Sequence, residues 1–322
     1  MKNNIKNICY FVIDSCKFFI KLLKYNASIA TNKDIEKIQY TLLRKNHVIE
    51  KGMSMRNPRI GFGQQKVSDL IIELNRYYEL YFKENIDFMI YPLATIKKYI
   101  EYTKQHGVSI GGIEDSYDKL LKRTKLNNRI NLASGTRVIL KKEIIKTIPS
   151  NYEAFMSSRH SIRYFSKDIP DKELIDNALR IAQQTPSACN RQSWLVHIYQ
   201  GKKALDLLMW QGGAKGFEDE IQIVILVTAN LKAFLAYEKY QVYIDGGLYS
   251  MNLVNALHAQ GLGTIPLSCG FHERKLKKLN SCYGIPENEI PILIIGIGCL
   301  LEEFKIAISS RKDVATTSIW HK

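Results

Sequence analysis

A chain of 322 residues, 46% of them hydrophobic, can bury a sizeable core, which excludes a wholly disordered protein. Its net charge of +15 is uneven: 27 of the 46 basic and 14 of the 31 acidic residues lie in 1–150, giving +13 there against +2 in 151–322. No RRM, KH or zinc-finger signature accompanies this charge, so it reads as a lysine-rich solvated surface and no nucleic-acid partner is expected.

Residues 8–23 (ICYFVIDSCKFFIKLL) are apolar but interrupted by Asp14, Lys17 and Lys21, and they lack a signal-peptide cleavage site and a clean membrane span. As a helix, Asp14, Lys17, Lys21 and Lys24 share one face. Such a helix either makes a weak contact with a membrane surface through 8–24 or packs on its own protein or a partner subunit. Six scattered cysteines show no CxxC pair, so neither zinc nor disulfide is expected, and a reducing cytoplasm is the natural compartment.

Helical periodicity continues over 34–51, ended by Gly52, and over 66–84, with Val67, Leu70, Ile71, Leu74, Tyr77, Tyr78 and Tyr81 on one face. Between them Pro58 and the glycines of EKGMSMRNPRIGFG make a structured loop, in which Arg56 and Arg59 are candidate anion ligands with solvated surface as the default. His47 and Glu50 form an HxxE half-site with no second half, so no metal is expected. Pro92 opens a helix to about His106, Gly111-Gly112 breaks the chain, and Asp115 or Ser116 caps a last helix through Leu126. Pro149-Ser150 is the expected boundary between a mainly helical basic region, 1–150, and a second domain, 151–322.

In the second half helices and strands alternate. RHSIRYF (159–165) sets two arginines around a His and a Ser, groups that can grip a phosphate through parallel and short hydrogen bonds. A helix over 171–184 leads to the polar loop TPSACNRQSW (185–194) and a strand at 195–199. Residues 221–228 and 291–299 read as strands buried on both faces. Phe234, Tyr237, Tyr240 and Tyr243 form a helical stripe. Asp245 caps the next helix, Gly261 stops it, and 261–267 (GLGTIPL) runs into a strand without a dinucleotide fingerprint. A basic helix follows at 272–283, and the tail carries Ser309-Ser310-Arg311-Lys312.

RHSIRYF, TPSACNRQSW and DGGLYSMNLVNALHAQGLGTIPL, in this order and followed by a late Ser-Ser-Arg, resemble the nitroreductase family of FMN-dependent oxidoreductases over roughly 151–322. The resemblance implies an α+β fold, a mixed sheet flanked by helices, here preceded by the mainly helical region. It also implies a homodimer with FMN at the interface. By position, Arg159, His160, Ser161 and Arg163 match the first FMN-binding motif, and Ser309 and Arg311 match the late pair on the phosphate. Pro186, Ser187, Ala188, Asn190 and Gln192 match the loop that reaches the flavin from the partner, and Thr264, Ile265 and Pro266 match the segment beside the isoalloxazine ring. Ser309 departs from the usual basic residue, and Ser193 from the usual proline. The implied chemistry is ping-pong transfer from NADH or NADPH to a small-molecule acceptor, with no residue named as catalyst. The alternative is a flavin-binding or dimerisation scaffold with little redox turnover.

Overall fold

The computed structural model describes residues 2–28, 34–55, 58–59, 61–130, 134–307, 309 and 311–321. Arg56 and Ser310, singled out above, lie outside the described residues. The fold is α+β, a helical first region followed by a four-stranded sheet between helices.

The first region contains α1 (Lys2–Tyr25), α2 (Ile35–Met53), α3 (Gln64–Asn85), α4 (Ile90–Gln105) and α5 (Gly111–Thr124). Helices α2–α5 share one core, built on Leu42, Val67, Leu70, Leu74, Leu93, Ile96 and Tyr99. Asp34 caps α2 by accepting from the Lys37 N–H at 3.3 Å. Gly111 and Gly112 are the first residues of α5, not a break before it, and Asp115 and Ser116 lie inside the helix.

The EKG segment has a packing explanation. The Glu50 carboxylate accepts from the Tyr91 hydroxyl, from Thr95 Oγ1 at 3.4 Å and from the Gly135 N–H at 3.1 Å, tying α2 to α4 and the following loop. A Cβ on Gly52 would stand 2.1 Å from the Phe62 ring, which packs edge-on against Tyr99 and Tyr102. Gly52→Ala therefore has to displace that ring. Overpacking of this kind costs about 1–3 kcal/mol, and a urea titration should show a lower midpoint at unchanged slope.

The short α6 (Lys141–Lys146) and α7 (Tyr152–Ser158) bury no residue. Beyond them come α8 (Lys172–Ala182), β1 (Trp194–Gln200), α9 (Lys202–Gln211), β2 (Ile223–Asn230), α10 (Gln241–Ala259), β3 (Leu262–Ser268), α11 (Glu273–Tyr283) and β4 (Glu289–Cys299). The sheet order is β1-β2-β4-β3, and every neighbouring pair is antiparallel. A single parallel bridge, Ser161 to Thr264, adds the other sense of pairing. Strand β2 is buried at all eight positions because its two faces serve two cores. Ile223, Ile225 and Val227 meet Tyr249, Leu253 and Leu257 of α10, while Val224 and Leu226 meet Leu207, Leu208 and Leu279 of α9 and α11.

The first region docks on the second through α2. Lys232 binds Glu36 at 2.6 Å and Asp34 at 3.1 Å, and Asn230 Nδ2 donates to Glu36 at 3.0 Å. Leu22 of α1 joins Ala229, Phe234 and Val242 in a further core cluster. The aromatic stripe is not one helix: Phe234 is buried between two 3-10 turns (Leu231–Ala233 and Ala236–Glu238), and α10 starts only at Gln241. The reason is local, since the Glu238 carboxylate accepts from the Leu235 N–H at 2.8 Å and closes the second turn on itself.

Candidate functional site

Residues 159–165 lie extended against β3. The Ile162 N–H donates to the Thr264 carbonyl at 2.9 Å, and the Ser166 N–H donates to the Cys299 carbonyl at 2.9 Å. Ile162 and Phe165 point into the core. Ser161 and Arg163, on either side of Ile162, stay half-exposed, and Tyr164 is exposed. Phe165 fits because Gly298 and Gly263 leave room: a Cβ there would come within 2.5 and 2.9 Å of its ring. The RHSIR segment and Thr264, Ile265 and Pro266 are thus brought together by backbone pairing. Thr264 and Ile265 are buried, and Pro266 is half-buried.

Beside this segment, Ser158 Oγ and His258 Nε2 lie 2.8 Å apart, and the Phe155 ring packs on the His258 imidazole with centroids 5.0 Å apart. Burial pushes the His258 pKa below its ordinary value, and the nearby Arg159 and His160 push it further down. Arg159, His160 and Arg163 make no hydrogen bond or ion pair among the described residues. The two guanidiniums, Arg159 and Arg163, have no carboxylate partner among the described residues, which favours an anion.

The 185–194 loop is built differently. Cys189, Asn190 and Gln192 adopt left-handed backbone, with φ of 51°, 53° and 48°. Ser187 Oγ accepts from the Gln192 N–H at 2.9 Å, and the Ala188 N–H donates to the Asp245 carboxylate at 3.1 Å. Arg191, fully buried, spans the loop: its Nε donates to the Ala188 carbonyl at 2.8 Å, and its two terminal nitrogens clamp Glu238 at 2.7 and 2.8 Å. Pro186, Asn190 and Gln192 stay exposed. Asn190 also reaches the Tyr91 hydroxyl, so the helical region abuts this loop.

The predicted set is therefore split within one chain. Ala188 sits on Asp245 and Ser158 on His258, thirteen residues apart on α10, or about 20 Å at 1.5 Å per residue. The tail does not close the gap. Arg311 donates to the Ser309 carbonyl, and neither residue contacts Arg159 or Arg163 among the described residues.

The sequence model of the nitroreductase family matches residues 156–299. This segment is a nitroreductase-family domain. A protein of Methanothermobacter thermautotrophicus named as an NADH dehydrogenase/NAD(P)H nitroreductase is 24% identical over 148 residues, which cover 45% of this chain and 75% of that one. Iodotyrosine deiodinase 1 of Pongo abelii is 24% identical over 206 residues, covering 54% and 69%. Among solved structures, a Desulfovibrio desulfuricans protein described as a nitroreductase in complex with FMN aligns at a TM-score of 0.48 and 19% identity, covering 54% of this chain and 99% of that one.

Three residues of the nitroreductase domain escaped the sequence reading. Asp245 is not a helix cap: it lies buried inside α10 and holds the Ala188 amide, with Gln241 Nε2 donating to it at 2.7 Å. Arg191 carried the signal of a basic residue amid a polar, glycine-free loop, which is the composition of a loop held by side chains. His258 sits a hundred residues from Ser158, so no local pattern marks the pair. The domain offers little for nucleophilic catalysis by its buried thiol, since burial pushes Cys269 up to about 12.

Proposed function

We propose that the protein is an FMN-dependent oxidoreductase, working as a cytoplasmic homodimer and reduced by NADH or NADPH, with a small molecule as acceptor. The observation that carries this reading is the pair of unpaired guanidiniums, Arg159 and Arg163, on the segment fixed to β3 within a nitroreductase-family domain. Arg159 and Arg163 present planar forks suited to a phosphate dianion, and Ser161 adds a short hydroxyl donor. These donors fit the phosphate end of FMN. Thr264, Ile265 and Pro266, next to them, offer buried backbone and little bulk to a flat ring.

A two-fold dimer that sets α10 against its symmetry mate would lay the 186–192 loop of one copy near the 159–163 segment of the other. That reading is supported by the apolar residues α10 exposes, Tyr240 at its start and Ile244, Leu248 and Met251 along it, and by Gly247, beside which the helix surface is open. The bound flavin would supply hydride and electron transfer, and the chain's own groups bind and orient it. The division at residues 150 and 151 goes with this reading, the first region buttressing Asn190.

The test is direct. The purified protein should show the visible band of bound flavin, or gain it with FMN, and NADH or NADPH should bleach that band rapidly in stopped flow. A protein that takes up no FMN would end the proposal. Flavin that no nicotinamide reduces would end the NAD(P)H part of the proposal and leave the scaffold role or a flavin enzyme reduced by a metabolite.

A further inference from the structure

Helix α1 is oriented against ordinary expectation. Its polar side chains turn toward the protein: Lys21 binds Glu273 at 3.3 Å, Lys24 binds Glu287 at 3.1 Å and Asp14 meets His272, all partners lying on or beside α11. Leu22 and Phe18 pack inward, but a second set of apolar side chains turns outward. Phe11 is 73% exposed and Phe19 59%, and Ile8, Val12, Ile20 and Leu23 are also exposed. At 100° per residue, positions 8, 12, 19 and 23 fall within one 60° arc, so this is a continuous stripe.

Between α1 and α11 runs a groove of about 710 Å³. Its acids, Glu273 and Glu287, are already paired, whereas Lys17, Arg274 and Lys277 line it with no ion pair among the described residues. The Asn280 side chain, also lining it, is buried with its amide oxygen unpartnered.

We propose that this face docks on an anionic phospholipid surface, with α1 lying in the interface plane and the groove receiving headgroups. The apolar stripe enters the acyl boundary while Lys17, Arg274 and Lys277 meet the phosphates. No described helix is long and apolar enough to cross a membrane, so the contact is peripheral. A second copy of the chain fits the same face less well, because a two-fold apposition would set these unpaired cations against their own counterparts. The inference holds whether or not the domain carries flavin.

The experiment uses the full-length protein and vesicles of phosphatidylcholine, alone or with one third phosphatidylglycerol. The protein should co-sediment with the anionic vesicles and little with the neutral ones. Phe11→Glu with Phe19→Glu should abolish co-sedimentation. Lys17→Gln with Lys277→Gln should weaken it by about fivefold per lysine. Helix content by circular dichroism should be unchanged in both, since the substituted positions are exposed and make no core contact. Failure to co-sediment with anionic vesicles, or undiminished binding by the phenylalanine variant, would overturn the proposal. So would a phenylalanine variant that falls from dimer to monomer in sedimentation equilibrium, which would assign the stripe to a second copy.

Discussion

Arg159→Ala should lose FMN affinity by about 10- to 100-fold, because a hydrogen bond to a charged group contributes about 1.5–3 kcal/mol, and Arg163→Ala should do the same. Neither substitution should unfold the protein. Both side chains are half-exposed and make no ion pair among the described residues, so the folded chain loses no internal contact with them. The backbone that positions them, Ile162 against Thr264 and Ser166 against Cys299, uses no side chain at all. A fluorescence titration with FMN beside a thermal melt separates the two effects. Full FMN occupancy in both variants would mean that the phosphate sits elsewhere.

The same substitution has an electrostatic signature. Burial holds the His258 pKa down, and Arg159 adds to the depression. A histidine with a lowered folded pKa contributes stability above its unfolded value, and loses it as pH falls through the folded one. Removing Arg159 takes away one depressing charge, so the His258 titration should move upward in NMR. A bound phosphate dianion should also move it upward in the unsubstituted protein.

What the residue string made legible was whatever local periodicity or composition encodes. The runs at 221–228 and 291–299 are almost wholly apolar because their strands feed two cores, and both appear as central strands, the first shifted by two residues to Ile223–Asn230 and the second begun two residues earlier at Glu289. The amphipathic face of 66–84 gives α3, and its apolar positions line the core. What stayed illegible depends on contacts distant in sequence. Asp245 resembles a cap from its neighbours, but its partner is an amide 57 residues earlier. Gly111 and Gly112 begin a helix because α5 buries Ile113, Tyr117 and Leu120 in the core that α3 and α4 share. The stripe of Phe234 and three tyrosines has helical spacing by coincidence, since two of its members sit in or beside 3-10 turns. Which way α1 faces was also beyond reach, because an amphipathic pattern has two sides and the choice between them is made by distant partners, α11 and the Ala229–Phe234–Val242 cluster. The separation of the 186–192 loop from the arginines has the same origin: the pieces are specific as an ordered set, and the length of α10, invisible in that order, sets the distance.

Arg191→Met should be the most destabilising substitution in the second domain, by about 3–5 kcal/mol, the cost of removing one partner from a buried ion pair. The guanidinium holds five points together. It donates to the Ala188 and Ala233 carbonyls, grips both oxygens of Glu238, and lies over the Phe234 ring at 5.1 Å. Without it Glu238, at the edge of the core, keeps the Leu235 amide and the charge of Arg44 among the described residues. Three left-handed residues, each costing about 1–2 kcal/mol, flank the same side chain and lose their restraint. Arg191→Lys keeps the charge but not the fork and should fall between the two. The pH dependence follows from Glu238. Burial alone would raise its pKa, but Arg191 and the Leu235 amide outweigh burial and hold it below the ordinary 4.5. A depressed carboxylate contributes stability above its unfolded pKa, and that contribution is lost as pH falls through the folded value. The gap between native protein and Arg191→Met should thus be full at neutral pH and shrink below about pH 4.5. Urea titrations across that range measure it. A pH-independent gap would mean that Arg191 acts through packing alone. Because the clamp also shapes the loop carrying Asn190 and Gln192, Arg191→Lys should weaken FMN binding while the chain remains folded, whereas a wholly structural clamp would leave flavin affinity unchanged.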